Sequence, residues 1–255
     1  MFVEAGVGET RGLFLLDTGA AATVLDPRFA EAAFVHLGRP REIEGRGGDV
    51  GARQAAPVRL TLQGGPGARV EPVVTDLSQA SAAMQVPLAG ILGEDFLRNF
   101  VLTVDYRGQR LFVDAPNVGS GEADPADAVP LRFGDTPYVM ARVVLDGRVA
   151  DGEFEIDTGS NTAVEFWRGF SRDRLGGARG ARDVGLGVAG QSVIERGRID
   201  ALQVAGRTIA APQVNFADDA RPGDARDGYA GVIGGPAWRG LVLTLDLPNQ
   251  RMWLR

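Results

Sequence analysis

The chain has no cysteine, a single histidine (His36) and, among its 27 basic residues, no lysine. Those absences remove whole classes of chemistry. Without cysteine there is no thiolate nucleophile, no disulfide and no thiolate-bound zinc. Without lysine there is no Schiff base and no phosphate-loop lysine. A serine-histidine-aspartate triad would rest on His36 alone, which lies in Phe34-Val35-His36-Leu37. No nucleophile-elbow pattern accompanies it, and it reads as an ordinary surface or core histidine. The start of the chain shows neither a basic region nor an apolar stretch after it, so no signal peptide is expected there. No apolar run approaches the ~20 residues of a membrane-spanning helix. Lack of cysteine fits a reducing or an oxidising compartment equally, which leaves the localisation open.

What is present is an ordinary globular mixture, 44% hydrophobic and 24% charged over 255 residues. That length suits one large domain or two of roughly 125 residues. A net charge of −6 and a pI near 5.0 argue against nucleic acid or an anionic membrane as partner. One basic cluster, Arg168, Arg172, Arg174, Arg179 and Arg182, is interspersed with Gly, Asp and Ser and reads as a solvated loop or helix face.

The sequence repeats itself. Leu102-Thr103-Val104-Asp105-Tyr106-Arg107-Gly108-Gln109-Arg110-Leu111-Phe112-Val113 and Leu243-Thr244-Leu245-Asp246-Leu247-Pro248-Asn249-Gln250-Arg251-Met252-Trp253-Leu254 share Leu, Thr, Asp, Gln and Arg at an offset of 141. Gly90-Ile91-Leu92-Gly93 matches Gly231-Val232-Ile233-Gly234 at the same offset, and Leu15-Leu16-Asp17-Thr18-Gly19-Ala20 matches Glu155-Ile156-Asp157-Thr158-Gly159-Ser160 at 140. Three blocks in one order and one register predict a duplicated pair of lobes: residues 1–115, a linker over 116–136, and residues 137–255. Runs such as 58–62 and 138–145, punctuated by 36 Gly and 14 Pro, predict many short strands. The first repeat block predicts two hairpins with turns at 106–108 and 247–249, and short helices are expected after each glycine motif, at 94–98 and 236–238.

Asp-Thr-Gly at the end of an apolar strand, present twice, points to carboxylate chemistry. Hydrolysing an amide without a metal requires a base to deprotonate water and an acid to protonate the leaving nitrogen. Two carboxylates held close together cannot both ionise, so the pair, Asp17 and Asp157, would share one proton and offer both functions. Gly19 and Gly159 let the backbone turn and bring an N–H to the carboxylate, while Thr18 and Thr158 supply hydroxyls that could lock the pair. No metal or cofactor is needed for this chemistry, and the acidic loop 218–224 lacks the ligand spacing of a calcium loop. Asp105 and Asp246 read as local hydrogen-bonding residues, and Glu94 and Asp95 as acids in a first helical turn.

These motifs resemble those of the retropepsin-like and pepsin-like aspartic peptidases, in detail the bacterial retropepsin-like group. Leu15-Leu16-Asp17-Thr18-Gly19-Ala20 with Thr23-Val24-Leu25 is similar to a retroviral-type active-site loop, and Gly90-Ile91-Leu92-Gly93 to its second motif. The resemblance implies a mostly β protein of two closed, acid-protease-like lobes related by a pseudo-twofold, with the active-site cleft between them. It implies an aspartic endopeptidase that acts, as a monomer, on protein or peptide substrate in extended form. It also implies that Ile91, Leu92, Gly93, Val232, Ile233 and Gly234 support the Asp loops. Flaps would come from the glycine-rich hairpins around Gly45, Gly47 and Gly48 and around Gly185, Gly187 and Gly190.

The sequence departs from the family pattern in two ways. Neither flap candidate carries the tyrosine that single-chain pepsins place there. Ala20 stands where the second loop has Ser160, so one carboxylate is expected to lose a hydroxyl donor, which predicts activity at mildly acidic to near-neutral pH. Two other readings share the fold: a catalytically silent module that binds extended peptides by strand addition, and a peptidase whose lobes pair between chains.

Overall fold

Alternation with a period of two makes strands of most of this chain. In Pro137–Leu145 and Arg148–Asp157 buried and more exposed positions alternate along nearly the whole length, so each strand turns one row of side chains to a core. The computed structural model describes residues 1–45, 48–116, 125–177, 180–187, 190–217 and 229–255. It is mostly β, with curled sheets. The chain divides into two compact units, Met1–Asn99 with Gly185–Ser192, and Phe100–Val184 with Val193–Arg255.

The first unit holds a nine-stranded sheet. Its order in space is Leu37–Gly45, Gly48–Ala55, Val73–Val74, Val24–Leu25, Leu88–Leu92, Thr10–Leu16, Phe2–Val7, Val58–Leu62 and Gly67–Val70. The sheet that carries Asp157 runs Ala181–Gly187, Gly190–Arg198, Gln213–Ala217, Val164–Phe166, Tyr229–Gly234, Arg148–Asp157, Pro137–Leu145, Ala201–Val204 and Arg207–Ala210. Numbered from its own first member, each nine-strand path reads 4-5-8-3-9-2-1-6-7. In each sheet the strand leading to Asp-Thr-Gly lies parallel to the strand of the second glycine motif. That motif strand lies antiparallel to the short strand after the Asp loop. Both parallel pairs shift register three residues before the aspartate, between Leu13 and Phe14 and between Glu153 and Phe154.

Helices cover one face of each sheet at matching places. Pro27–Ala32 starts at Asp26, whose Oδ1 accepts the Arg28 N–H at 3.0 Å, and has proline in its first turn. It sets Phe29 edge-on to Phe14, ring centroids 5.2 Å apart. Arg168–Leu175 ends on Gly176 in the left-handed region, φ 85°, and brings Phe170 to Phe154 and Phe166. Neither helix, nor Ser78–Met84, is anticipated by the sequence reading. Arg168, Arg172 and Arg174 ride on the second of them and Arg182 on a strand, while Arg179 lies outside the described residues.

A further five-stranded sheet belongs wholly to the second unit, in the order Arg110–Asp114, Val101–Asp105, Val242–Asp246, Arg251–Leu254 and Val129–Pro130. The two hairpins foreseen from the repeat form, with turns over 106–109 and 247–250. Their inner strands pair antiparallel with Thr103 opposite Thr244, each the other's counterpart in the sequence repeat. The two Oγ1 atoms are 3.2 Å apart. This pairing carries residues 101–114 into the second unit rather than the first. Of the expected linker, residues 117–124 lie outside the described residues, and its end is structured: Val129–Pro130 pairs with Arg251 and Met252, and Arg132–Phe133 with Pro137 and Tyr138.

Candidate active site

Burial drives both Asp loops into position. Phe14, Leu15 and Leu16 are buried, as is Ile156, so each strand ends inside its lobe and the next residue emerges half-buried. Asp17 donates its N–H to the Leu92 carbonyl at 3.1 Å, which ties the loop to the second glycine motif. Thr18 and Thr158 are buried at 0% and 5% exposure, placing both hydroxyls inside the protein. The glycine N–H then turns back on the carboxylate: Gly19 donates to Asp17 Oδ1 at 2.9 Å, and Gly159 to Asp157 Oδ1 at 2.7 Å. Asp157 Oδ1 also accepts the Ser160 N–H at 2.9 Å.

The second motif underlies each loop in the same way. Leu15 and Leu16 are in register with Ile91 and Leu92; Glu155, Ile156 and Asp157 with Val232, Ile233 and Gly234. The residue after each motif glycine closes the contact. Glu94 donates its N–H to the Ala20 carbonyl at 2.8 Å, and Gly235 donates to the Ser160 carbonyl at 3.3 Å. Only glycine fits before them. A Cβ at Gly93 would lie 2.5 Å from the Ala22 carbonyl carbon and oxygen, and one at Gly234 would lie 2.8 Å from Ser160 Cβ.

Ser160 corrects one expectation. Its side-chain oxygen accepts the Thr162 N–H at 3.2 Å, and it is its backbone N–H that serves Asp157. Accepting that bond leaves the Ser160 hydroxyl its own proton, but among the described residues it makes no hydrogen bond to Asp157, whose donors in this loop are backbone N–H groups.

Other supporting residues escape a sequence reading. Asp95 opens the helix Glu94–Leu97, yet its Oδ1 also accepts both the N–H and the hydroxyl of Thr23, at 2.8 and 2.7 Å. The second lobe braces its loop differently, with Asn215 Nδ2 donating to Thr162 Oγ1 at 2.9 Å. Pairs 72 and 53 residues apart leave no local signature. Tyr106 is a further neighbour: burial, and then the charge of Asp157, push its hydroxyl well above the ordinary tyrosine range, so it stays protonated. Asp105 and Asp246 bond locally, Asp105 to the Gly108 N–H and Arg110, Asp246 to Asn249 and Arg251.

Both glycine-rich segments form strand pairs: Leu37–Gly45 lies antiparallel to Gly48–Ala55, and Ala181–Gly187 neighbours Gly190–Arg198 in its sheet. Gly45 pairs with Gly48 at the first tip. Gly185, Gly187 and Gly190 lie in the second pair of strands, while Gly47 and the acidic loop 218–224 lie outside the described residues. His36 is exposed, its carbonyl accepting the Ala56 N–H at 2.8 Å. Among the described residues, no group of three or more His, Cys, Asp or Glu could hold a metal ion. No described helix is long and apolar enough to cross a membrane.

No curated protein matches this chain. The family model described as aspartyl protease matches residues 3–96, a span that holds the Asp17 loop and its glycine motif. That stretch is similar to an aspartic peptidase family, and the match supports the chain's place among aspartic peptidases.

Proposed function

We propose that this protein is an aspartic endopeptidase in which Asp17 and Asp157 act as one pair on a single water. The observation that carries the reading is the likeness of the two loops: an Asp-Thr-Gly turn whose glycine N–H donates to Asp Oδ1, seated on an apolar-apolar-Gly strand, in both lobes. The common strand order, and Thr103 pairing with its own repeat counterpart, support a duplicated origin for the lobes. A single chain then supplies both aspartates, so the active form is a monomer.

In the proposed step one carboxylate takes a proton from water as the water oxygen bonds to the peptide carbonyl carbon. The other, protonated, carboxyl gives its proton to the carbonyl oxygen. Collapse of the resulting diol breaks the C–N bond: the carboxyl that took the water proton gives it to the departing nitrogen, while a diol hydroxyl returns its proton to the other carboxylate, restoring the shared proton. Sharing one proton makes the pair competent for both roles. The hairpins tipped at 45–48 and 187–190 would cover an extended peptide and exclude water.

The test is cleavage of a diverse peptide library from about pH 3 to about pH 8 by the parent, Asp17→Asn and Asp157→Asn, with circular dichroism to show that each folds. The parent is expected to cleave and each variant to lose about 10²–10⁴-fold. Full activity in either variant refutes a paired mechanism. A parent that binds extended peptides without cutting them is instead the silent binding module.

A further inference from the structure

Tyr106 begins the turn between Val101–Asp105 and Arg110–Asp114. Its N–H donates to the Leu241 carbonyl at 3.0 Å, pinning the turn beside the strand Val242–Asp246. The half-buried side chain reaches the second glycine motif. A Cβ added at Gly235 would lie 3.6 Å from Tyr106 Cε1 and 3.7 Å from its hydroxyl oxygen, both ordinary contact distances. Gly235 follows Gly234, which is in register with Asp157, and it donates its own N–H to Ser160. The hydroxyl therefore stands in the layer around the Asp157 loop, near enough for the carboxylate charge to act on it.

No described residue hydrogen-bonds that hydroxyl. The hydroxyl is not among the buried polar atoms left without a partner, so it stands open to water, which an arriving acceptor can replace. Because its ionisation is suppressed by burial and by Asp157, the group remains a donor throughout the pH range of carboxylate chemistry. The sequence repeat has no second copy of it: 141 positions on stands Leu247, buried and without a polar atom in its side chain. The donor therefore stands beside one aspartate only and is not part of the repeated scaffold.

We propose that Tyr106 is a substrate-binding residue on the Asp157 side of the site, its hydroxyl donating a hydrogen bond to a backbone carbonyl of the extended peptide. The inference rests on the peptidase reading above. A phenol on a hairpin turn of the five-stranded sheet would thus supply a donor that neither glycine-rich hairpin carries as a tyrosine.

The test compares the parent with Tyr106→Phe, which keeps the ring and removes only the hydroxyl. Both kcat/KM on a peptide that the parent cleaves and Kd for a peptide carrying a hydroxyethylene isostere are measured, with the unfolding midpoint. The expected result is an unchanged midpoint, kcat/KM lower by about fivefold to tenfold, and Kd higher by a like factor. A Tyr106→Phe variant within about twofold of the parent in both quantities overturns the inference and leaves the peptidase reading standing. A parent that neither cleaves peptides nor binds the isostere overturns both.

Discussion

Replacing Gly93 by alanine sets a methyl carbon against backbone rather than against a side chain that could rotate away. The new Cβ would lie 2.5 Å from the Ala22 carbonyl carbon and oxygen and 2.7 Å from the Ala20 carbonyl oxygen. Relieving that overlap requires the 20–22 segment to move by about 0.5–1 Å. Ala20 is bonded on both sides, its N–H to the Asp17 carbonyl at 3.3 Å and its carbonyl to the Glu94 N–H at 2.8 Å, so the shift is passed to Asp17. Overpacking of this kind costs about 1–3 kcal/mol. A displacement of about 1 Å in a catalytic group costs about 10²-fold in rate, so kcat should fall by ~10- to ~100-fold. Trp167, Trp238 and Trp253 all lie in the second unit, so tryptophan fluorescence does not report on this loop. Amide hydrogen exchange over residues 13–25 does, together with kcat on a cleaved peptide. Gly51→Ala is the control, because nothing lies within 4 Å of its Cβ, and it should change stability by less than ~0.5 kcal/mol. Equal effects from the two substitutions, or none from Gly93→Ala, would refute the argument that the loop is held by this contact.

Thr23→Val keeps the shape but removes the hydroxyl that Asp95 accepts at 2.7 Å, and should cost about 2 kcal/mol in denaturant unfolding of the first lobe followed by circular dichroism. A loss below ~0.5 kcal/mol would mean that the backbone N–H groups of Thr23 and Phe96, both of which donate to Asp95 Oδ1, hold the carboxylate without the hydroxyl. Thr103→Val and Thr244→Val, singly and together, should show a coupling of about 0.5–1.5 kcal/mol, since each hydroxyl is the other's partner; strict additivity would contradict the pairing. Asp105 is held below the usual carboxylate range by the Gly108 N–H and then by Arg110. Its contribution is therefore complete above the ordinary value of about 4 and is lost as the pH falls through the lower folded-state value. The stability difference between parent and Asp105→Asn, read by tryptophan fluorescence, should narrow as the pH drops below about 4; a difference independent of pH would show that the carboxylate charge is not involved.

Much of this protein is legible along the chain because its decisive features are local. An apolar strand ending in Asp-Thr-Gly, a glycine two residues after the aspartate, and a hairpin written as strand, turn and strand each depend on neighbours within a few positions. The repeat makes them readable twice, and the matching blocks foretold which residues would occupy like places in the two sheets. The short helices 27–32 and 168–175 were not legible, since six to eight residues of mixed composition show too little periodicity to separate from a loop.

Tertiary structure alone decided the rest. Parallel pairing of Thr10–Leu16 with Leu88–Leu92, and of Arg148–Asp157 with Tyr229–Gly234, joins segments separated by more than sixty residues, and no period in the sequence encodes a partner. The same holds for Thr23 with Asp95 and for Thr162 with Asn215, where two lobes brace equivalent loops with different residues. Ser160 shows the converse limit: its residue type promised a hydroxyl to the carboxylate, whereas in the fold its backbone N–H reaches Asp157 and its side-chain oxygen accepts the Thr162 N–H. Tyr106, read from the sequence as one residue of a turn, gained its place beside Asp157 only when the five-stranded sheet assembled around it. Local chemistry is written in residue order, whereas which groups meet is set by the packing of distant strands.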